Sequence, residues 1–222
     1  MALTKITGEG LGSLGTGNLT HGSDSGDTRF TLNSANQYTL VLKNAGNIAG
    51  QIGGSGSDVL RFSNAAGATI MEMNAGQITK PLQPAFLARV ASTQSNLTIN
   101  TDTTIVFGTE VFDQNSDFDG TSTFTAPVTG RYQFNVNTRL GSLDSATSFY
   151  ETKIITSNFE FRDIFDPRQL NGDLGVYHSS FAIFTDMDAN DTCIIKIKPH
   201  NSGSSQADVN TNHMNFSGFL VC

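Results

Sequence analysis

Residues 131–137, Arg-Tyr-Gln-Phe-Asn-Val-Asn, alternate cleanly. Tyr132, Phe134, Val136 and, further on, Leu140 fall on one side; Arg131, Gln133, Asn135 and Arg139 fall on the other. A period of two with one apolar side predicts a half-buried antiparallel strand. Strand-like runs recur at residues 84–90, 103–107, 122–125, 148–155, 160–165, 176–184, 192–198 and 214–221. No helical period of useful length interrupts them. Strands joined by polar turns over roughly 140 residues predict a sandwich or jelly roll.

A different pattern precedes Pro81. Gly46, Gly56, Gly67 and Gly76 lie nine to eleven residues apart, and the turn signal Asn44-Ala45-Gly46 returns as Asn64-Ala65-Ala66-Gly67 and Asn74-Ala75-Gly76. Asn and Gly tolerate the positive φ such turns require. The intervening segments 38–43, 48–52, 58–62 and 68–73 read as short strands. Each offers few apolar side chains, for example Val59, Leu60 and Phe62. One copy buries too little to offset an ordering cost of roughly 1–2 kcal/mol per residue. The expectation is a short intertwined β shaft in which several chains pool their apolar faces, with short hairpins lying on the following domain as the alternative.

Composition divides at the same point. Residues 1–80 hold 14 of the 22 glycines but only Phe30 and Phe62 of the 16 phenylalanines. Five basic residues balance five acidic ones there, so the whole net charge of −7 belongs to the remainder. Aromatic side chains supply most of the burial open to a small β domain, so the second part is expected to fold around its own core. Residues 1–28 are Gly/Ser/Thr-rich with isolated apolar residues (Leu3, Ile6, Leu11, Leu14, Leu19). They read either as an anchor that orders against a partner or as a disordered tail. The expected organisation is a 1–37 attachment segment, a 38–81 shaft and an 82–222 head.

The head carries a resemblance. Phe107, Asp113, Phe118, Phe124, Gly130, Tyr132 and Phe134 stand at the spacing F-x5-D-x4-F-x5-F-x5-G-x-Y-x-F. This resembles the signature of the complement one-q globular head, a ten-stranded jelly roll shared with the tumour-necrosis-factor ligands. Five residues rather than the usual six separate Phe118 from Phe124, and Val136 replaces the usual last aromatic. Residues 124–130 and 216–220 are similar to the family's strand-to-turn segment and closing strand. Physically, Phe124 and Phe134 suit facing core positions on neighbouring strands, Pro127 a strand end, Gly130 a tight turn, and Gly218 the space beside a bulky neighbour. The resemblance implies three heads packed about a three-fold axis. Residues 76–86 resemble the shaft-to-head junction of bacteriophage fibre proteins, and the opening 1–7 is similar to phage structural proteins. No apolar signal-peptide core follows Met1 and no collagen repeat is present, which favours a virion over a secreted animal protein.

Candidate chemistry is sparse. Asp113, Asn115, Asp117 and Asp119, followed by Gly120, echo the oxygen spacing of a calcium loop. The twelfth position from Asn115 is Ala126, not the bidentate Glu of an EF-hand. An acidic turn within the jelly-roll signature is the competing reading, and calcium is the one cofactor considered. Asp186–Asp191 reads as a hairpin loop, and His21, His178, His200 and His213 show no ligand spacing. Cys193 and Cys222 read as plain thiols. There is no nucleophile elbow or phosphate loop. Thirteen basic against twenty acidic residues argue against nucleic acid, and no apolar run is long enough to enter a membrane. Loops 93–102, 158–173 and 201–212 offer mixed polar groups for carbohydrate or protein recognition at the far end of the head. The expected function is that of a homotrimeric, non-enzymatic phage fibre protein. It would attach to other virion proteins through residues 1–37 and bind host-surface glycan or protein through its head. Capsid decoration is the alternative, and a polysaccharide-degrading enzyme ranks behind both.

Overall fold

The computed structural model describes residues 37–44, 47–55, 59–201, 207–211 and 213–222. Residues 1–36, which hold nearly all of the expected attachment segment, the turn at 45–46, residues 56–58 and half of the loop 201–212 lie outside the described residues. The described chain is all-β. Its one helical piece is the 3-10 turn Pro167–Gln169, and no helix among the described residues is long and apolar enough to cross a membrane.

Strands β1 (Gln37–Asn44), β2 (Asn47–Ser55), β3 (Val59–Ser63), β4 (Thr69–Asn74) and β5 (Gln77–Thr79) form one antiparallel meander in sequence order. Gly67 and Gly76 take the positive φ their turns require, at 85° and 81°. Register sets Leu40, Ile52, Phe62 and Met71 in one cross-strand row and Leu60, Met73 and Ile78 in the next, on the same face. The reverse face carries Gln51, Ser63 and the ion pair of Arg61 Nε with Glu72 Oε2 at 2.6 Å. The ladders lie within one chain, and that chain leaves the apolar face uncovered: Leu42 is 48% and Ile78 60% exposed.

The head contains β6 (Ala85–Val90), β7 (Thr103–Thr104), β8 (Gly108–Asp113), β9 (Thr123–Thr125), β10 (Gly130–Leu143), β11 (Phe149–Thr156), β12 (Glu160–Phe165), β13 (Leu174–Met187), β14 (Thr192–His200), β15 (Asp208–Val209) and β16 (Asn215–Leu220). One sheet runs β13-β10-β16-β6-β8 with β15 beside β10; the other runs β12-β11-β14-β7 with β9 beside β14. Non-consecutive neighbours in both sheets give the jelly-roll crossing. The run at 103–107 is a strand only at its start. Ile105 and Phe107 enter the core as coil, and the chain resumes pairing at Gly108, at φ 70°, as β8.

Aromatic rings fill the space between the sheets. Phe86 stacks on Phe118 and Phe124 at centroid distances of 5.1 and 5.0 Å, and Phe216 meets Phe86 edge-on at 4.9 Å. Phe124 and Phe134 do face each other, 5.4 Å apart, but from opposite sheets rather than neighbouring strands. Gly130 also has a different reason from the one expected. Its φ is not positive; a Cβ there would lie 2.7 Å from Leu220 and 2.8 Å from the Cys222 carbonyl. The closing strand, not the turn, excludes a side chain.

The registers also define two ends. Ala85, Gly130, Met187 and Phe219 lie at the shaft-proximal end; Val90, Leu143, Leu174 and Asn215 lie at the distal end.

Candidate functional site

The acidic loop after β8 is a stitched turn at the shaft-proximal end. Asp113 Oδ2 accepts from the Phe118 N–H at 2.8 Å, and Asp113 Oδ1 from Asn115 N–H at 3.4 Å. Asp119 Oδ1 accepts from the N–H groups of Thr121, Ser122 and Thr123 at 2.8, 2.7 and 3.0 Å. Partial burial works to raise the Asp119 carboxyl, but those donors win and hold it below the ordinary carboxylate range. Asn115 turns away and donates from Nδ2 to the Leu82 carbonyl at 2.9 Å. Asp117 Oδ2 is buried without a partner, and burial together with the charge of Asp113 pushes that carboxyl up. Among the described residues no three His, Cys, Asp or Glu side chains converge on a metal-sized space. Asp113 and one oxygen of Asp119 are thus taken by backbone donors, while Asp117 Oδ2 is left without one.

Its neighbour Gln114 was not anticipated. Gln114 Nε2 donates to the carbonyls of Lys80 and Gln83 at 2.9 and 2.6 Å, and Gln83 Nε2 donates to Leu220 O at 2.5 Å. Together with Asn115 they clamp the segment between meander and head onto the base of the sandwich. Only the folded register brings Gln114 to Lys80, so residue spacing alone could not reveal the clamp.

The outward face of the β13-β10-β16-β6-β8 sheet is graded. Nearest the shaft, Arg131 pairs with Asp186 at 3.0 Å; the next row holds Phe184, Gln133, Phe219 and Ala85, and the one after it Ala182, Asn135, Ser217, Leu87 and Phe112. Phe184 is 55%, Phe112 51% and Phe219 40% exposed. Further rows turn polar: Ser180, Asn137, Asn215 and Arg89, then His178 and Arg139. Hydrogen bonds run across them, from Ser180 Oγ to Asn137 Oδ1 at 2.6 Å and from Asn137 Nδ2 to Asn215 Oδ1 at 2.8 Å. At the base, Ile78 of the meander shares one groove of about 420 Å³ with Ala85 and Phe219 of the head. The apolar face of the meander and the apolar base of this sheet therefore adjoin.

The opposite sheet carries a charge network on its outer side. Glu151 and Lys153 on β11 are buried, and Lys153 Nζ lies 3.0 Å from Asp102 and 3.4 Å from Glu160. Glu151 meets Arg162 Nη1 at 2.9 Å and His200 Nε2 at 2.8 Å. Burial acts to raise the Glu151 carboxyl, yet His200, Lys153 and Arg162 hold it below the ordinary range. The other histidines stay apart from it: His178 stands on the outward face, His213 is exposed, and His21 lies outside the described residues. Cys193 is buried and Cys222 exposed; burial pushes the Cys193 thiol well up.

The distal loops are held by their own polar groups. Asp173 Oδ1 accepts from Ser145 N–H and Oγ at 2.8 and 2.7 Å, Asp208 Oδ1 accepts from Asn96 N–H at 2.8 Å, and the Asn201 N–H donates to Asn100 Oδ1 at 3.0 Å. The predicted recognition loop at 158–173 is divided by β12. Its start, Asn158, bonds Asp191 at 2.8 Å at the shaft-proximal end, and only the part after Phe165 reaches the tip. Asp186–Asp191 joins β13 to β14 as a turn, with Asp191 Oδ2 accepting from Asp188 N–H at 2.9 Å.

Sequence comparison decides the family. Residues 85–221 match the C1q domain. The chain belongs to the C1q domain family. Among solved structures, this C1q domain is similar to the globular domain of zebrafish complement 1qA, at 20% identity over 63% of this chain and 98% of that one, with a TM-score of 0.44. It is similar to murine APRIL at 10% identity, over 63% and 99% of the two chains, with a TM-score of 0.46. It is similar to the PRD1 vertex protein P5 at 10% identity, over 63% and 96%, with a TM-score of 0.42. No curated relative matches the chain.

Proposed function

We propose that the chain is a homotrimeric bacteriophage virion protein of fibre type, without enzymatic activity, whose C1q domain adheres to the host surface. The observation that carries the reading is the shared groove of Ile78, Ala85 and Phe219. It joins two uncovered apolar surfaces, the row Leu60-Met73-Ile78 and the sheet base around Phe219 and Phe184. A three-fold association about one axis covers both at once and leaves no growing edge. The distal tip, rich in Asn, Ser and Asp on a stiff sandwich, suits glycan or protein recognition, and three copies add avidity. Residues 1–37 would serve as the attachment to other virion proteins.

Sedimentation equilibrium of the full chain is expected to give three times the 23.7 kDa chain mass. A folded monomer at micromolar concentration would overturn the reading. Immunogold labelling on tail fibres, with host-cell binding by the purified trimer, supports adhesion. Label on the capsid without cell binding replaces it with decoration.

A further inference from the structure

Resting on the homotrimer reading, we propose that neighbouring copies are held in register by an ion pair between Arg139 on the outward face of one head and Asp163 of the next. Arg139 is partly buried on β10, opposite His178. Arg61, Arg131, Lys153, Arg162 and Arg168 each have a carboxylate within their own chain. Arg139 and Arg89 on the outward face have none among the described residues, in a chain whose acidic residues outnumber its basic ones by 20 to 13, and of the two Arg139 is the partly buried one. The Asp163 carboxylate likewise has no hydrogen-bond or ion-pair partner among the described residues, its charge being felt by the neighbouring Tyr177 hydroxyl. It stands at the mouth of the sandwich between β12 and β13, where Phe161, Phe165, Tyr177 and Phe181 are only partly buried. A half-buried carboxylate among aromatic rings is costly until a cation meets it.

Height along the head selects the pair. Thr138 Oγ1 lies 3.4 Å from Thr152 Oγ1 across the core, and Thr152 is paired with Asp163. Asp163 therefore stands level with residues 138–139 of the opposite sheet. Within one chain the two groups belong to different sheets and do not meet. Rotation about an axis along the head preserves height, so a cyclic contact of face against edge brings Arg139 of one copy to the level of Asp163 on the next. The same rotation matches apolar with apolar. Phe184 and Phe219 at the base of the face stand near the level of Phe159 and Phe161 at the start of β12.

The test is a charge reversal on the full chain, read by sedimentation across a dilution series, with circular dichroism verifying the fold of each variant. Arg139→Asp and Asp163→Arg are each expected to raise the protomer concentration at half-dissociation by roughly tenfold or more. The double variant is expected to recover most of that loss, since every interface then regains an opposite pair. Arg139→Gln and Asp163→Asn, which disturb packing less, are expected to show a shared, non-additive loss. A parental trimer whose dissociation ignores the single reversals, or a double variant no better than the weaker single one, overturns the pairing and leaves the trimer standing. A parental monomer overturns both.

Discussion

Gly218 lies directly against the ring of Phe134: a Cβ built on Gly218 would come within 2.5 Å of Phe134 Cδ1 and 2.9 Å of Phe86 Cε1. Both rings belong to the aromatic stack at the centre of the head and have no space to retreat into. Gly218→Ala is therefore expected to destabilise the head by about 1–3 kcal/mol, the usual cost of overpacking. A denaturant titration showing an unchanged midpoint would refute this account of the residue.

The buried network around Glu151 makes stability depend on pH in a definite direction. Burial opposes ionisation, but His200, Lys153 and Arg162 keep the folded-state pKa of Glu151 below its ordinary value of 4.5. Asp102 is lowered in the same way, with its hydrogen bond from Lys153 outweighing burial. A depressed carboxyl stabilises the fold fully above its ordinary pKa and loses that contribution as pH falls through the lower folded value. Thermal midpoints should thus hold near neutrality and drop below about pH 4.5. Glu151→Gln should cost about 3 kcal/mol at pH 7 and flatten the acid limb; an acid limb as steep as the parent's would assign it to other carboxylates.

Calcium should have no effect on the acidic loop. Since Asp113 and Asp119 already accept backbone N–H groups, millimolar calcium is expected to leave the melting midpoint and the titration heat unchanged. A rise of several degrees would restore the ion.

The clamp on the linker can be opened without touching the core. Gln114→Ala removes the donor to Lys80 and Gln83 at an exposed position, so global stability should change by no more than about 0.5 kcal/mol. Hydrogen exchange at the amides of Gln83 and Leu220 should instead accelerate by roughly tenfold or more, as local opening becomes easier. Equal protection in both proteins would mean that the other contacts suffice.

The two cysteines should separate in reactivity. Cys222 is exposed, whereas Cys193 is buried with its thiol pushed up. A thiol reagent should label only Cys222 in the native state and both residues after denaturation.

Alternation carried much of this fold in advance. Tyr132, Phe134 and Val136 announced their burial through period two, and the Asn/Gly turns marked the meander. What stayed hidden depended on register. β5 and β15 have three and two residues, too few to display a period. Gln114 is an ordinary surface amide until folding brings Lys80 beneath it. Glu151 and Lys153 occupy alternate positions as on any solvated strand; they are buried because Arg162, His200 and Asp102 come from three other parts of the chain. Spacing drew Asp113 and Asp119 together, but spacing does not reveal that Asp113 Oδ2 and Asp119 Oδ1 accept backbone N–H groups.

The clamp also has a mechanical meaning. With the carbonyls of Lys80, Leu82 and Gln83 each gripped by a side chain of the head, the linker is no swivel. The head must follow the heading of the strands below it, and a pull on the head passes straight into that meander. On the fibre reading proposed above, any angular search for a surface would fall to the whole trimer rather than to its separate heads.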